Sequence, residues 1–251
     1  MDLEYNAVST NRRSQAISLL PDVAAIIILS ALLLIIKLLP PFIRPFSTSD
    51  MSISHPHVPD IVPTYVAVLV FIALPVVICL AVTRSYISML AYVRSFGIGA
   101  LVVDVTTDWI KKTAGRLRPD FLDRCKPLNG TCTGDALLIS EGRVSFPSGH
   151  SSVSFYGSVF LALWVWYIGC QSLKWRSNKR LVMVVGALLP LLGATYVSIS
   201  RTQQYVHFPT DVLTGALIGS VGAVLAFLDF WISWKPLERN SIESQNLESA
   251  E

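Results

Sequence analysis

Six long apolar runs constrain this chain more than any other feature of its sequence. The runs cover residues 22–39, 64–82, 95–110, 151–170, 181–199 and 212–232. Each is close to the roughly 20 residues that an α-helix needs to cross a bilayer. Only 15% of the residues are charged, whereas a soluble domain carries about 25%. The sequence therefore predicts an all-α membrane protein with six transmembrane helices.

The runs leave little room for a second folded unit. The longest connection between them, 111–150, is near the lower limit of about 40 residues for a unit that folds without disulfides, bound metals or oligomerisation. We expect a cytoplasmic N-terminal segment at 1–21, a helical domain at 22–232 and a disordered cytoplasmic tail at 233–251. The formal net charge of +3 is spread along the chain, so the lipid bilayer is the expected partner and nucleic acid is not.

The order of the spans predicts an orientation. Six spans place both termini on one side and bring the connections 40–63, 111–150 and 200–211 together on the other, here called the loop side. The short connection between spans four and five is strongly basic, with Lys174, Arg176, Lys179 and Arg180. Because the positive-inside rule works best on short connections, we expect cytoplasmic termini and a lumenal or extracellular loop side. The endoplasmic reticulum, the vacuole and the plasma membrane all fit.

Two features of the connection 111–150 agree with this orientation. Cys125 and Cys132 can form a disulfide if the compartment is oxidising. Asn129 begins an Asn-Gly-Thr sequence, which is an acceptor for N-glycosylation. Asn-Gly is also a common turn, so both the disulfide and the glycan remain open on the sequence alone.

The first cluster of chemically active residues lies where the third span ends. Lys111 and Arg118 are seven residues apart, about two helical turns, and share a face wherever the segment is helical. Pro119 disfavours helix at Arg118, so the chain should turn there. Basic residues at the end of a span commonly anchor it at the membrane interface. This cluster therefore indicates an active site only in combination with the other two.

The second cluster lies where the fourth span begins. Ser148 can cap that helix, and Gly149 lets the backbone approach a ligand closely. His150 stands at the helix start, where free N–H groups bind anions. Taken alone, the segment also fits a capped helix with an interfacial histidine.

The third cluster joins the last two spans. Arg201 offers a planar guanidinium that can clamp an anion through two N–H groups. His207 and Asp211 have i,i+4 spacing, so the carboxylate can hold one ring nitrogen and leave the other as a nucleophile. This cluster therefore has the composition of a histidine nucleophile beside an anion site.

Together the clusters supply three cations, a helix N-terminus, two histidines and a carboxylate. This set fits phosphoryl transfer, in which the enzyme stabilises negative charge on the transferred group. Zinc is the main alternative, because two histidines and an aspartate can ligate it. Three cations would repel a dication, however, and the chain lacks the Asp-x-Asp pattern of magnesium-dependent phosphatases. We expect no metal and no other cofactor.

These residues resemble the type 2 phosphatidic acid phosphatase superfamily, in particular its eukaryotic lipid phosphate phosphatase branch, which includes diacylglycerol pyrophosphate phosphatases. The signature of that family is K-x6-RP, PSGH and SR-x5-H-x3-D. In this sequence it reads Lys111 to Arg118-Pro119, then Pro147 to His150, then Ser200-Arg201 to His207 and Asp211. The motifs occur in the family's order, with its spacing and without substitution at a defined position.

The resemblance implies a six-helix fold with an extracytoplasmic active site that needs no magnesium. It implies that His207 attacks phosphorus, Asp211 orients it and His150 protonates the leaving group. The three cations, with Ser148 and Gly149, would bind the phosphoryl oxygens. The implied substrates are phosphatidate, lysophosphatidate and diacylglycerol pyrophosphate. A polyprenyl pyrophosphate or sphingoid-base phosphate phosphatase and a catalytically silent membrane scaffold are the alternatives, and the oligomeric state is open.

Other ionisable residues have structural interpretations. Asp104 and Asp108 are one turn apart in the third span, where we expect them to support the site or pair helices. Lys37, near the end of the first span, can reach the interface. His55 and His57 have no carboxylate at a pairing distance along the chain, and we expect surface or lid positions.

Overall fold

The computed structural model describes residues 2–83, 85–172 and 177–248. Within these ranges, six helices are long and apolar enough to cross a membrane. They are Leu20–Leu38, Thr64–Val82, Ser88–Ala114, Gly149–Gly169, Met183–Gln203 and Pro209–Ser233. The prediction of an all-α membrane protein with six spanning helices is confirmed. Lys174 and Arg176, on which the predicted orientation partly rests, lie outside the described residues.

The regular secondary structure of the described residues is helical apart from one small hairpin. The helices are α1 (Asp2–Leu38), α2 (Thr64–Val82), α3 (Tyr86–Ala114), α4 (Phe121–Cys125), α5 (Ala136–Glu141), α6 (Gly149–Ser172), α7 (Ser177–Gln203) and α8 (Pro209–Glu248). Helix α2 contains a π-helical turn at Leu69–Ala73, and a 3₁₀ turn lies at Met51–Ile53. Strands β1 (Pro127–Leu128) and β2 (Thr131–Cys132) pair antiparallel.

Helix α3 begins earlier than its apolar run. The run predicts a start at residue 95, whereas the helix begins at Tyr86. Two polar residues lie in the added part and at its edge, and both reach Asp229 of α8. Arg94 Nη2 lies 2.9 Å and Ser95 Oγ lies 2.5 Å from Asp229 Oδ2. An ionisable residue is tolerated inside a spanning helix because a neighbouring helix supplies its partner.

The ends of the chain also differ from expectation. Helix α8 runs on to Glu248, past the end of its apolar run at residue 232, and α1 begins at Asp2 rather than near residue 22. The domain bounds and the disordered cytoplasmic tail at 233–251 stay predictions. Propagating an existing helix is far easier than starting one, and Glu, Gln, Leu and Lys favour it.

Helix α6 is the centre of the bundle. The share of buried residues is 44% for its span and 28% or less for each of the other five. Tyr92 and Phe96 of α3 pack against Tyr156, Phe160 and Trp164 of α6, mostly edge to face. Such aromatic pairs each add about 0.5–1.5 kcal/mol beyond their burial. This cluster fixes the position of α6 and of the site at its first turn.

Two glycines let α8 approach the first turns of α6. A Cβ at Gly215 would contact the carbonyl oxygen of Ser148. A Cβ at Gly219 would contact the carbonyl oxygen of Ser152 and lie 2.9 Å from the Tyr156 nitrogen. The absence of side chains at these two positions brings the start of α8 against the start of α6.

Helices α1 and α3 are joined by an ion cluster. Lys37 Nζ lies 3.7 Å from Asp104 Oδ2 and 4.0 Å from Asp108 Oδ2. The expected helix pairing by these carboxylates is confirmed. Lys37 has a partner on α3 and does not serve only as an interfacial anchor.

Candidate active site

The three clusters predicted from sequence meet at one end of the bundle. The Ser145 N–H donates to the carbonyl of Arg116 at 2.9 Å, which joins the first and second clusters. The Ser148 N–H donates to the carbonyl of Asp211 at 2.9 Å, which joins the second and third. Backbone hydrogen bonds therefore hold all three segments in one site.

Lys111 lies over the start of α6. Its Nζ is 2.9 Å from the position that a Cβ on Gly149 would occupy, so a side chain there would displace the ammonium. Because Gly149 opens the helix, the backbone N–H groups of its first turn have no intrahelical acceptors. A cation and a helix N-terminus are thus brought to the same point, and both favour an anion.

Arg118 is the second free cation. Its Nε is buried, and no hydrogen-bond partner for it occurs among the residues that the structure describes. Burial lowers the pKa of Arg118 to about 10, so the guanidinium remains protonated at neutral pH. Buried N–H groups nearly always have an acceptor, so Arg118 Nε is free to bind one from outside the described residues.

Arg201 is held more tightly than expected. It is only 1% exposed, and its Nη1 lies 2.7 Å from Asp60 Oδ1. Its Nε and Nη2 donate to Ser200 Oγ at 3.3 and 3.2 Å. The guanidinium therefore has a carboxylate partner from the 40–63 connection, which the sequence motifs do not include.

The contacts of His207 differ from those expected. Its Nδ1 lies 2.6 Å from the carbonyl oxygen of Ser145 but 3.8 Å from Asp211 Oδ2. The Nδ1–H of His207 therefore donates its hydrogen bond to the Ser145 carbonyl rather than to Asp211, and Nε2 keeps its lone pair. Burial lowers the pKa of His207 below its ordinary value, and the neighbouring cations Lys111 and Arg118 add to this. The ring is therefore neutral at pH 7, as a nucleophile must be.

Asp211 is fully buried and is fixed by three donors. Arg116 Nη1 lies 2.6 Å from its Oδ1. Ser145 Oγ donates to Oδ2 at 2.6 Å, and the Phe208 N–H donates to the same oxygen at 3.0 Å. Ser145 therefore contacts His207 through its carbonyl and Asp211 through its hydroxyl, so it connects the two.

His150 also has a backbone partner. Its Nε2 lies 3.1 Å from the carbonyl oxygen of Val62, again from the 40–63 connection. His150 directly follows Gly149 in the first turn of α6, where the Lys111 ammonium lies. His150 therefore belongs to the same site as the nucleophile candidate and the cations.

His55 and His57 are not isolated as the sequence suggested. His57 Nδ1 lies 2.8 Å from Asp120 Oδ2, a carboxylate brought from the connection after the first cluster. The His55 ring stacks on Tyr205, with ring centroids 4.1 Å apart. The spacing along the chain could not reveal the partner of His57, because Asp120 is 63 residues away in sequence.

The charges in the site do not cancel. The pairs Arg116–Asp211 and Arg201–Asp60 are each neutral overall. Lys111 and Arg118, by contrast, have no ion-pair partner in the described part of the chain. With His207 neutral, the site keeps a net charge near +2. Such a site attracts a dianion.

Sequence reasoning missed three residues of this arrangement. Arg116 lies inside the first basic cluster, so its charge was a signal, although no spacing pointed to Asp211. Ser145 contributes partly through its backbone carbonyl, which no side-chain motif can reveal. Asp60 lies 141 residues from Arg201 and forms no pattern with it.

The connection between the first two clusters contains the two modification candidates. Cys125 and Cys132 are joined by a disulfide in the structure. Asn129 is exposed at the turn between the two short strands. Asn129 and Gly130 both have positive φ angles, 49° and 80°, as the tight turn of a two-residue hairpin requires. The turn and the acceptor sequence thus coexist on an accessible loop.

Comparison with known proteins identifies the family. A family model described as the PAP2 superfamily matches residues 88–235, which contain all three clusters. The chain belongs to the PAP2 superfamily. The match begins after the 40–63 connection, so the segment that contacts Arg201 and His150 lies outside it.

Relatives within the PAP2 superfamily match most of the chain. The probable lipid phosphate phosphatase 4 of Arabidopsis thaliana is 32% identical over 228 residues, covering 84% of this chain and 72% of the relative. Diacylglycerol pyrophosphate phosphatase 1 of Saccharomyces cerevisiae is 32% identical over 251 residues, covering 88% and 85%. Phospholipid phosphatase 1 of Rattus norvegicus is 32% identical over 232 residues, covering 80% and 79%. No solved structure matches the chain significantly.

Proposed function

We propose that this member of the PAP2 superfamily is a magnesium-independent lipid phosphate phosphatase that works through a phosphohistidine intermediate. Family membership supports the reaction class, phosphoric ester hydrolysis. The observation that carries the proposal is the pair of cations Lys111 and Arg118, which form no ion pair within the described residues, beside the neutral, buried His207. A phosphate monoester carries a charge of about −1.5 to −2 at pH 7, which matches the net charge of the site.

The first step transfers the phosphoryl group to the enzyme. His207 Nε2 attacks phosphorus and forms a P–N bond while the bond from phosphorus to the lipid oxygen breaks. His150, which must be protonated when the dianionic substrate is bound, keeps its Nε2 proton toward the Val62 carbonyl and gives its Nδ1 proton to the departing lipid oxygen, or to the departing phosphate when a pyrophosphate is cleaved. In the imidazolium that forms, the Nδ1–H still donates to the Ser145 carbonyl. The carboxylate of Asp211, 3.8 Å from Nδ1, balances the positive charge of the ring.

The second step returns the enzyme to its starting state. A water molecule attacks phosphorus, and His150, now unprotonated, takes the proton that the water loses. The P–N bond breaks, the electron pair returns to His207 Nε2, and inorganic phosphate leaves. One histidine is thus the nucleophile and the other is alternately acid and base.

The cations would neutralise the phosphoryl charge, as a metal ion does in other phosphatases. Lys111, Arg118 and Arg201 would stabilise the charge on the equatorial oxygens, together with the free N–H groups at Gly149 and the Ser148 hydroxyl. Because this charge is fixed in the protein, chelators should leave the rate unchanged.

A lipid substrate is supported by where the site lies. The site stands at the ends of spanning helices, so a head group can enter it while the acyl chains stay in the bilayer. Relatives named lipid phosphate phosphatase and diacylglycerol pyrophosphate phosphatase favour the same choice. We therefore propose phosphatidate, lysophosphatidate and diacylglycerol pyrophosphate as substrates.

The test is phosphate release by purified protein in detergent micelles that contain EDTA. The panel comprises the three proposed lipids, a sphingoid-base phosphate and a polyprenyl pyrophosphate, with His207→Asn as the inactive control. We expect the highest kcat/KM for one of the three glycerolipids. Preference for the polyprenyl or sphingoid substrate would transfer the assignment to that class, and no release from any substrate would favour a silent scaffold.

We also propose that the loop side is lumenal or extracellular and the termini are cytoplasmic, in the endoplasmic reticulum, the vacuole or the plasma membrane. The Cys125–Cys132 disulfide and the exposed Asn129 support this orientation. Expression in a eukaryotic cell should give a protein whose mobility increases after endoglycosidase treatment, and Asn129→Gln should abolish the shift. In sealed vesicles whose outer face is the lumenal or extracellular one, a tag at the C-terminus should be protected from added protease. Cleavage of the tag in such vesicles would contradict the proposal.

A further inference from the structure

A segment upstream of the three clusters lies against the active site at several points. This segment, residues 55–62, is here called the strap, and it lies outside the part of the chain that the family model matches. The strap is anchored by contacts of His55 with Pro119 and Tyr205, of His57 with Asp120 and Asp123, of Pro59 with Gln204, and of Val62 with His150. A segment held at so many points is a fixed part of the site.

Asp60 is the residue of the strap that reaches a cation of the phosphate site. Its Oδ1 lies 2.7 Å from Arg201 Nη1. A guanidinium has five N–H groups, and the structure commits three of them, one to Asp60 and two to Ser200 Oγ. Two N–H groups remain, the number that a bidentate contact with a phosphoryl group uses.

Asp60 also supplies a negative charge beside the buried Arg201. Arg201 is almost fully buried, and Lys111 and Arg118 already place two unpaired cations in the same site. A buried charge without a partner is strongly unfavourable, so a third cation needs a counter-charge to stay in a defined position. Asp60 supplies that charge while its own side chain remains 44% exposed.

We propose that Asp60 is a positioning residue for the reaction. Its carboxylate fixes the plane of the Arg201 guanidinium, so that the two remaining N–H groups meet the phosphoryl oxygens. This inference rests on the proposed function, because it takes Arg201 to be a phosphate ligand. The opposite role, a carboxylate that competes with substrate for Arg201, requires Asp60 to move away, and the anchors of the strap oppose such movement.

The main test compares two substitutions in the same connection. Asp60→Asn removes the charge that holds Arg201, and kcat/KM for phosphatidate in micelles should fall at least about tenfold. Asp50→Asn is the matched control, because Asp50 caps the 3₁₀ turn at Ser52 and Asn caps equally well. The control should keep the wild-type kcat/KM. A rise in kcat/KM for Asp60→Asn would mean that Asp60 competes with substrate, and would overturn the proposal.

A double-mutant cycle shows whether Asp60 acts through Arg201. Arg201→Lys loses the planar two-point contact, so adding Asp60→Asn to it should change kcat/KM by less than about twofold. A purely structural loss would add fully to the effect of Arg201→Lys, and additivity would therefore overturn the proposal. If Asp60→Asn does not yield folded protein, Asp60→Glu takes its place. The anchored strap cannot absorb the extra methylene, so a several-fold fall is expected and wild-type kcat/KM would contradict the role.

Phosphate binding separates this inference from the proposed function. Calorimetric titration of wild-type protein and Asp60→Asn with inorganic phosphate needs no turnover. Weaker binding to the variant is expected even if the wild type hydrolyses none of the lipids tested. Equal or tighter binding to the variant would overturn the positioning role, whatever the lipid assays show.

Discussion

Arg116 is the residue through which the first cluster acts on the third. Its Nη1 lies 2.6 Å from Asp211 Oδ1 and 2.8 Å from Thr210 Oγ1. Its guanidinium carbon lies 4.3 Å from the centre of the Phe208 ring, which restricts its movement. Arg116 therefore both neutralises the buried Asp211 and fixes its orientation toward the ring of His207.

Replacing Arg116 should impair chemistry more than substrate binding. We predict that Arg116→Gln lowers kcat about 10- to 100-fold, about 1.4–2.7 kcal/mol of transition-state stabilisation, with KM changed less than about twofold. The reason is that Asp211 would balance the imidazolium less well. The measurement is steady-state kinetics on phosphatidate. Arg143→Gln is the control, because the guanidinium carbon of Arg143 lies 4.9 Å from the centre of the Phe121 ring and does not contact Asp211 or His207. Equal losses of kcat in both variants would refute the role of Arg116.

The buried, neutral His207 makes stability depend on pH with a defined sign. Its pKa is lowered by burial in the folded state, whereas an exposed histidine titrates near pH 6.5. The unfolded chain thus binds the proton more readily, so the free energy of unfolding falls as pH drops below about 6.5. We predict that the Tm of the wild type falls more steeply between pH 7 and pH 5 than that of His207→Asn. Parallel curves would show that His207 is not held neutral.

The elements were largely predictable because a bilayer demands long apolar helices. Five of the six spans begin within a few residues of their apolar runs. The third helix was predicted too short because Arg94 interrupts the hydrophobic pattern, and its partner Asp229 is 135 residues away. Helix α8 extends past its apolar run to Glu248, because an existing helix propagates more easily than a new one starts.

The site was predictable where its residues recur at fixed spacing along the chain. The structure brings together the predicted residues of all three clusters. Asp60 and Ser145 could not be found in this way, because their contacts join segments distant in sequence. The Ser145 carbonyl also replaces Asp211 as the hydrogen-bond partner of His207, which an i,i+4 spacing cannot reveal.

Close packing of α6 and α8 gives a test at the scale of elements. A Cβ at Gly219 would contact the backbone of α6, whereas a Cβ at Gly97 would meet nothing within 4 Å. We predict that Gly219→Ala destabilises the protein by about 1–3 kcal/mol through overpacking. Gly97→Ala should be neutral or stabilise by up to about 1 kcal/mol, as alanine does within a helix. Thermal unfolding in detergent measures both, and equal Tm values would contradict the close approach.

At the scale of the whole molecule, packing and chemistry occupy opposite parts of the bundle. The aromatic cluster around Tyr92 and Phe160 joins α3, α6 and α8, and residue types there are almost wholly apolar. The charged groups of the site lie at the loop-side ends of the same helices. Helix α6 belongs to both parts, so the packed part holds the first turn of α6 in place for the phosphate site.

The proposed mechanism requires His207 to form a bond to phosphorus. The most direct measurement is to mix purified protein with phosphatidate labelled with ³²P in its phosphate, quench with alkaline detergent within milliseconds, and map the label by peptide sequencing. We predict label on His207 that is stable to base and lost in acid, with none in His207→Asn. Label on another residue, or wild-type turnover by His207→Asn, would contradict it.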